Sequence, residues 1–332
     1  MTKTLENLHG SKAVEIPGPS LHVAPSPHVG NLDFTTRRMM IDVLIALSPP
    51  LAMSIYLFHG YALRQLFICV CACLASEMLF VAMRRKPVTL ADCSAVVTGV
   101  ILALSLPATA PWYAGMIASV VAIGLGKIVF GGLGMNIFNP AMVGRAFVMI
   151  SFAGIMGAGG YEQSGSVVDI LSQATPMNAF KQAGKLTPAL DLFFGWTNGS
   201  LGETSALACL LGGLYLCLRR TASWEIPAGM LSVALIIAGI ADLAGNFGGR
   251  LVLHHLLGGA LMFGAFFIAT DPVTSPLTPK GKFIFGAGVG ALVMVLRLFS
   301  GYPEGVMFAV LLMNGVTPLI NRWTIPKALG EF

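Results

Sequence analysis

Charge is what this sequence has least of. Only 11% of its 332 residues are Asp, Glu, Lys or Arg, against roughly a quarter in ordinary soluble proteins. The 20 basic and 15 acidic side chains cannot cover a water-facing surface for a body this large. Hydrophobic residues make up 55% of the chain and the mean hydropathy is +0.79. A soluble enzyme is excluded, and an all-α polytopic membrane protein is expected.

Other absences narrow the function. The net charge of +5 comes without a basic helix or an aromatic-interleaved basic stripe, so no nucleic-acid partner is expected. Six Cys lack the regular spacing of a disulfide framework. The Gly-rich turn at Gly131-Gly132 follows an apolar run rather than a strand, so it is not a nicotinamide-binding fingerprint. Residues 1–38 carry no apolar stretch near the start, and no cleavable signal peptide is expected.

What is there is a series of apolar runs. Residues 1–38 are polar and hold Pro17, Pro19, Pro25 and Pro27, which favour extended backbone and read as an N-terminal tail. Runs near the roughly 20 residues of a spanning helix follow, at 41–59, 64–83, 93–107, 112–130, 140–158, 204–219, 226–244, 251–270, 283–299 and 303–320. About ten transmembrane helices are expected. The third stops at Pro107 and reads as a broken or re-entrant segment.

The placement of basic residues orients the chain. With the N-terminus inside, 13 of the 20 Lys and Arg fall on the inner side, among them Arg37-Arg38, Arg84-Arg85-Lys86 and Arg219-Arg220. Five fall outside, and Lys127 and Arg145 lie at or within the membrane. The positive-inside rule then puts both termini in the cytoplasm of a cell with this inner membrane, and turns the loop 159–203 outward.

The chain also repeats itself. Leu104–Pro111 and Ala269–Pro276 align at an offset of 165, which matches Pro107 to Pro272, Thr109 to Thr274 and Pro111 to Pro276. Gly99 and Gly264 share that offset, and each half runs on to an Asn-bearing helix (Asn139, Asn314). Five helices per half would invert one half relative to the other, with a site at their interface. The expected organisation is a cytoplasmic tail 1–38, a first five-helix repeat 39–158, the outward loop 159–203, a second repeat 204–321 and a cytoplasmic tail 322–332.

One loop stretch stands out: Ser172-Gln173-Ala174-Thr175-Pro176. Pro176 keeps Thr175 out of helix, so its hydroxyl sits on extended backbone beside the small Ala174. Such a hydroxyl could carry a phosphoryl ester, although a Ser/Thr/Pro segment is also an ordinary turn.

A resemblance decides between these readings. Ser26-Pro27-His28, Asp42–Leu47, Ser94–Gly99, Gly131–Gly134, Asn136–Phe147, Thr270–Pro276 and Gly301–Val306 occur in order. In these stretches the chain resembles the D subunits of Rnf-type ion-translocating electron-transport complexes, and more distantly the B subunit of the sodium-pumping NADH:quinone reductase. The resemblance covers nearly everything from residue 26 onward. It implies FMN attached through its phosphate to Thr175 by a separate flavin transferase, with Ser172, Ala174 and Pro176 completing the motif. Gln173 stands where the family usually has Gly. It further implies an electron relay coupled to Na⁺ or H⁺ movement, with other membrane and peripheral subunits handling NAD(H) and ferredoxin. A second, noncovalent flavin such as riboflavin stays open. The chain is thus expected to be a translocase subunit without a complete NAD or ferredoxin site of its own.

Ionisable residues in or beside the runs are the remaining candidates, since they are costly in hydrocarbon. Asp271, Asp92 and Glu77 are candidates for an ion pathway, and Asp42, Asp242 and Glu304 share their setting. Structural pairing is the competing reading, as for Asp42 near Arg37-Arg38. Arg145, with Asn136 and Asn139 near it in sequence, could contact a flavin or close a structural bond. Cys69 and Cys73 share a helix face that Cys71 does not, which favours packing over a cluster. His254-His255 lack metal-site spacing and read as packing or interfacial residues, and the 17 Met read as adaptable packing. A solute channel or transporter would suit the same inverted repeat, as would a scaffold without flavin; the Ser172–Pro176 loop is what sets the redox reading apart.

Overall fold

The computed structural model describes residues 35–85, 90–156, 174–245, 249–300 and 305–326. Ser172, Gln173 and Glu304 lie outside these, as does most of the proposed N-terminal tail. Among the described residues the regular structure is helical, with one isolated antiparallel bridge between Pro107 and Ser200.

The first half contains α1 (Thr36–Phe58), α2 (Gly60–Met83), α3 (Ser94–Ser105), α4 (Trp112–Ile123, continuing into a π turn at Gly124–Ile128) and α5 (Pro140–Ser151). Two short helices follow, α6 (Pro176–Ala183) and α7 (Ala189–Phe194). The second half contains α8 (Ala206–Leu218), α9 (Glu225–Gly245), α10 (Arg250–Leu257), α11 (Leu261–Ile268, ending in a π turn), α12 (Pro279–Phe299) and α13 (Val306–Thr324). Among the described residues, each apolar run picked out from the sequence overlaps a helix.

Length separates these helices into two kinds. The helices α1, α2, α9, α12 and α13 are long and apolar enough to cross a membrane. Four more, α3, α4, α5 and α8, are shorter apolar helices. In α3 the cause is Pro107, which forces Leu106 into extended backbone (φ −94°, ψ 155°) and stops the helix at Ser105.

Two expected spans are corrected. The run 251–270 is two helices bent by 54°, not one. Gly258 is extended and Gly259 takes φ +68°, a left-handed conformation open to glycine. The run 140–158 stops at Ser151, because Phe152 leaves helical dihedrals (φ −125°, ψ 47°) before a short turn Ala153–Met156.

Small residues hold the helices together. A β-carbon on Gly286 would collide with the carbonyl oxygen of Ile226, and one on Gly290 with that of Met230, so α9 and α12 touch backbone to backbone. With the bent pair α10–α11 counted as one element, the second element of each half packs on the fourth, α2 on α4 and α9 on α12, and the last pairs pack too, α4 with α5 and α12 with α13. Across the halves α1 lies against α8, and α5 against α13. On the outside, Leu218 and Phe299 are each 83% exposed, which suits hydrocarbon rather than water. The chain is a multi-pass membrane protein.

Candidate functional site

The halves meet around a cavity of about 840 Å³, counting the space open to solvent. Its walls come from the start of α1 (Met39, Val43), from α3 (Ser94, Thr98), from Asn136 and Asn139, and from Thr270–Val273 after α11. Asp271 and Lys127 both line it.

Lys127 is not among the sequence candidates, and it organises the site. It sits in the π turn that ends α4, a register irregularity common at functional positions. Its Nζ donates to Glu77 Oε1 at 2.7 Å and to Ser94 Oγ at 2.6 Å. The Lys127 and Glu77 side chains are 3% and 0% exposed. The Ser94 hydroxyl and backbone N–H both donate to Asp92 Oδ1, at 2.7 and 2.8 Å. Two of the three predicted ion-pathway acids, Glu77 and Asp92, thus belong to one chain of polar contacts joined by Lys127 and Ser94. A charge removed from water costs several kcal/mol unless paired, so one intramembrane Lys and one intramembrane Glu are each the signal for the other.

The third acid has other partners. Asp271 Oδ1 accepts from the Val273 N–H and Oδ2 from the Thr274 hydroxyl, both at 3.2 Å, which fixes the turn after α11. Asn139 locks that turn to the first half. It caps α5 by accepting from the Met142 N–H, donates from Nδ2 to the Ile268 carbonyl, and donates its own N–H to Asn314 Oδ1. Asn314 in turn donates to the Thr274 carbonyl at 3.2 Å.

Several expected neighbours are not neighbours. Arg145 does not join Asn136 and Asn139; one helix turn and more along α5, it donates to Glu203 Oε1 at 3.3 Å and Ser200 Oγ at 3.4 Å. That segment runs beside the broken end of α3, where the Leu201 and Gly202 N–H groups donate to the Leu106 and Leu104 carbonyls that the break frees. Asp42 pairs with Arg219 (3.5 Å), and with Tyr215 and Thr221, rather than being explained by the adjacent Arg37-Arg38. Asp242 accepts from the Gly249 and Leu251 N–H groups and caps the start of α10. Cys69 and Cys73 are buried and Cys71 is exposed. Among the described residues no group of three His, Cys, Asp or Glu side chains is placed to hold a metal.

Thr175 lies in the second region. Its backbone is extended (φ −63°, ψ 148°), as Pro176 requires, and it is the N-cap of α6. Its hydroxyl oxygen accepts from the Asn178 N–H at 3.3 Å, and the residue is 8% exposed. The hydroxyl is a helix cap rather than a freely presented group. No acidic residue lies in the first turn, and a helix N-terminus favours a phosphoryl group through its N–H groups and dipole.

The helix that Thr175 caps rests on basic and aromatic neighbours. Phe180 packs against both His254 and His255, with ring centroids 5.5 and 5.8 Å away. Both imidazoles are 1% exposed, and their ring nitrogens have no hydrogen-bond partner among the described residues. Arg297 donates to the His255 and Gly258 carbonyls at 2.6 and 3.0 Å, and Lys181 to the Ser300 carbonyl at 2.7 Å. Burial, and then the nearby Arg297 charge, lower the Lys181 pKa from its usual range. The cap hydroxyl and the N–H groups of the first turn of α6 fit a phosphoryl group carried on Thr175. The His pair is readable in sequence only as packing; its place beneath α6 is not.

Comparison with known proteins gives a consistent result. The profile of the NQR2, RnfD, RnfE family matches residues 22–330. The chain is 43% identical, over 94% of its length and 96% of the relative, to the D subunit of the Na⁺-translocating ferredoxin:NAD⁺ oxidoreductase complex of Acetobacterium woodii. It is 40% identical to the D subunit of the proton-translocating ferredoxin:NAD⁺ oxidoreductase complex of Clostridium ljungdahlii, over 93% of the chain and 96% of that protein. A third relative, the D subunit of the ion-translocating oxidoreductase complex of Sodalis glossinidius, is 39% identical over 94% of the chain and 99% of its own length.

Proposed function

The chain belongs to the NQR2, RnfD, RnfE family, and from that premise we propose that it is the membrane flavoprotein subunit of an ion-translocating ferredoxin:NAD⁺ oxidoreductase complex. FMN is joined through its phosphate to Thr175 by a flavin transferase, and electrons pass through it between the ferredoxin- and NAD-linked partner subunits. When bound, the flavin supplies one- or two-electron chemistry. This chain's own residues hold and surround it. Thr175 provides the ester oxygen, Ser172, Ala174 and Pro176 belong to the attachment motif, and the first turn of α6 faces the phosphoryl group with N–H donors. A second, noncovalent flavin such as riboflavin would need a separate polar site.

Arg145 and Asn139 hold the protein partners described above, and we assign them to positioning the outer segment and the inter-half junction. The ion route runs through the interface cavity, with Glu77, Asp92 and Asp271 along it. The coupling ion is Na⁺ or H⁺, since relatives named for each are similarly close. We further read the molecule as two inverted five-helix repeats in the inner membrane with both termini cytoplasmic. The recurring packing of second on fourth and fourth on fifth element in each half, with the bent pair α10–α11 as one element, supports that arrangement.

The observation that carries the flavin assignment is the position of Thr175 as an extended N-cap, flanked by Ala174 and Pro176. The test is to coexpress the chain with its flavin transferase and view a denaturing gel under ultraviolet light. A fluorescent band that vanishes in Thr175→Ala supports the assignment; a band that stays fluorescent in that variant overturns it.

A further inference from the structure

We propose that Lys127 is a tethered counter-ion that keeps the buried Glu77 carboxylate closed to a mobile monovalent cation, which enters only when the ammonium moves off Glu77 toward Ser94 and the cavity. The proposal rests on the reading of the interface cavity as part of the ion route, and adds to it the residue that controls occupancy.

The argument begins with who can reach whom. Lys127 and Ser94 line the cavity, and Glu77, with a fully buried side chain, is not among the lining residues. The carboxylate lies behind the ammonium, 2.7 Å away. A cation arriving from the cavity must therefore replace Lys127, because two positive charges sharing one buried carboxylate would repel each other strongly in a medium of low dielectric.

The displaced ammonium has somewhere to go. Ser94 Oγ already accepts from Lys127 at 2.6 Å and hands its own proton to Asp92 Oδ1 at 2.7 Å. Lys127 can thus shift its weight toward the Ser94–Asp92 pair while a cation takes its place on Glu77. Each arrangement leaves no buried charge unpaired, which a buried site requires. The backbone also offers a moving part. Lys127 sits on a five-residue π turn, whose extra residue can be taken up or released by the helix and so turn the side chain about the axis. Among the described residues, Cys73 lies one turn before Glu77 on α2, and Arg84 donates to the Ile128 carbonyl at the end of the π turn.

A purely structural ion pair would look similar at rest, so the test must read exchange. The assembled complex is purified and the concentration of NaCl giving half-maximal electron transfer is measured, against choline chloride at equal ionic strength, and repeated as a pH titration for a proton. Without its tethered competitor, Lys127→Met is expected to reach half-maximum at about a tenfold lower cation concentration. The same variant of the purified chain should gain thermal stability on adding NaCl, or on acidification if the cation is H⁺, at levels that leave wild type unchanged. The double variant Glu77→Gln/Lys127→Met, a neutral pair of similar volume expected to fold, should respond to neither. A Lys127→Met complex with a wild-type half-maximum overturns the proposal. So does a Lys127→Met chain that stays unfolded in every medium while the double variant folds. Ion transport into vesicles by Glu77→Gln reports separately on the ion-route reading: transport at the wild-type rate contradicts that reading, whatever the stability titrations show.

Discussion

The backbone N–H of Asn139 donates to the side-chain carbonyl of Asn314 across 3.2 Å, tying the first turn of α5 in one half to the middle of α13 in the other. Both residues are nearly fully buried, at 4% and 1% exposure. Asn314 also anchors the Thr274 carbonyl, so one amide holds together two helices and the turn carrying Asp271. This junction keeps the interface cavity in shape.

Replacing that amide should therefore loosen the junction. Asn314→Ala leaves the Asn139 N–H without this acceptor, at a cost of about 1–3 kcal/mol, while the Thr274 carbonyl keeps the Thr317 hydroxyl as a donor. Thermal unfolding of the purified chain in detergent should show a clearly lowered Tm. An unchanged Tm would mean that water or a rearranged neighbour supplies the lost bonds.

Arg145 and Glu203 form a second buried pair, with side chains 10% and 3% exposed. Arg145→Ala strands the carboxylate and should destabilise the fold by about 3–5 kcal/mol. The double variant Arg145→Ala/Glu203→Ala should be less destabilised than the sum of the single variants, because the stranded charge is gone. Covalent flavin fluorescence should survive in whatever folds, as expected of a positioning residue. Strict additivity in the Tm measurements would refute the pairing.

Backbone contact between α9 and α12 sets up a contrast between two glycines. Gly286→Ala on α12 drives a β-carbon into the Ile226 carbonyl oxygen, which cannot swing aside as a side chain would, and should cost about 1–3 kcal/mol. Gly239→Ala on α9 meets nothing within 4 Å and should be neutral or stabilising by up to about 1 kcal/mol through helix propensity. Unfolding midpoints of the two variants in the same detergent decide the matter; equal values would contradict the packing described.

How much of this is legible in the sequence follows from the range of each signal. Apolar runs are local, so helix positions are readable, and Pro107 announces the early end of α3. The break at Gly258-Gly259 is hidden because glycine is common in membrane helices and does not by itself end one. Partners far apart in sequence are the least legible. Asp42 sits five residues from Arg37 yet pairs with Arg219, since α1 and α8 pack together. Lys127 and Glu77 are each visible as isolated charges, but only the approach of α2 to the end of α4 makes them a pair. The backbone at Thr175 is readable as extended, whereas the burial of its hydroxyl as a helix cap depends on α6 resting against α10.

Capping gives Thr175 a structural consequence separable from its chemistry. Thr175→Ala should lose about 1 kcal/mol through the missing cap, while Thr175→Ser keeps a hydroxyl for both roles. A Tm lowered in the Ala variant and restored in the Ser variant, measured without the transferase, checks the cap alone. Equal stability of all three would contradict it.

The central claim is that Thr175 carries the flavin, and peptide mass spectrometry reads it most directly. Protein made together with the flavin transferase is digested, and the peptide spanning Thr175 is fragmented. The account predicts a gain equal to FMN less one water, localised to Thr175. An unmodified Thr175 peptide from protein made with a demonstrably active transferase, or the same gain on another residue, would contradict it.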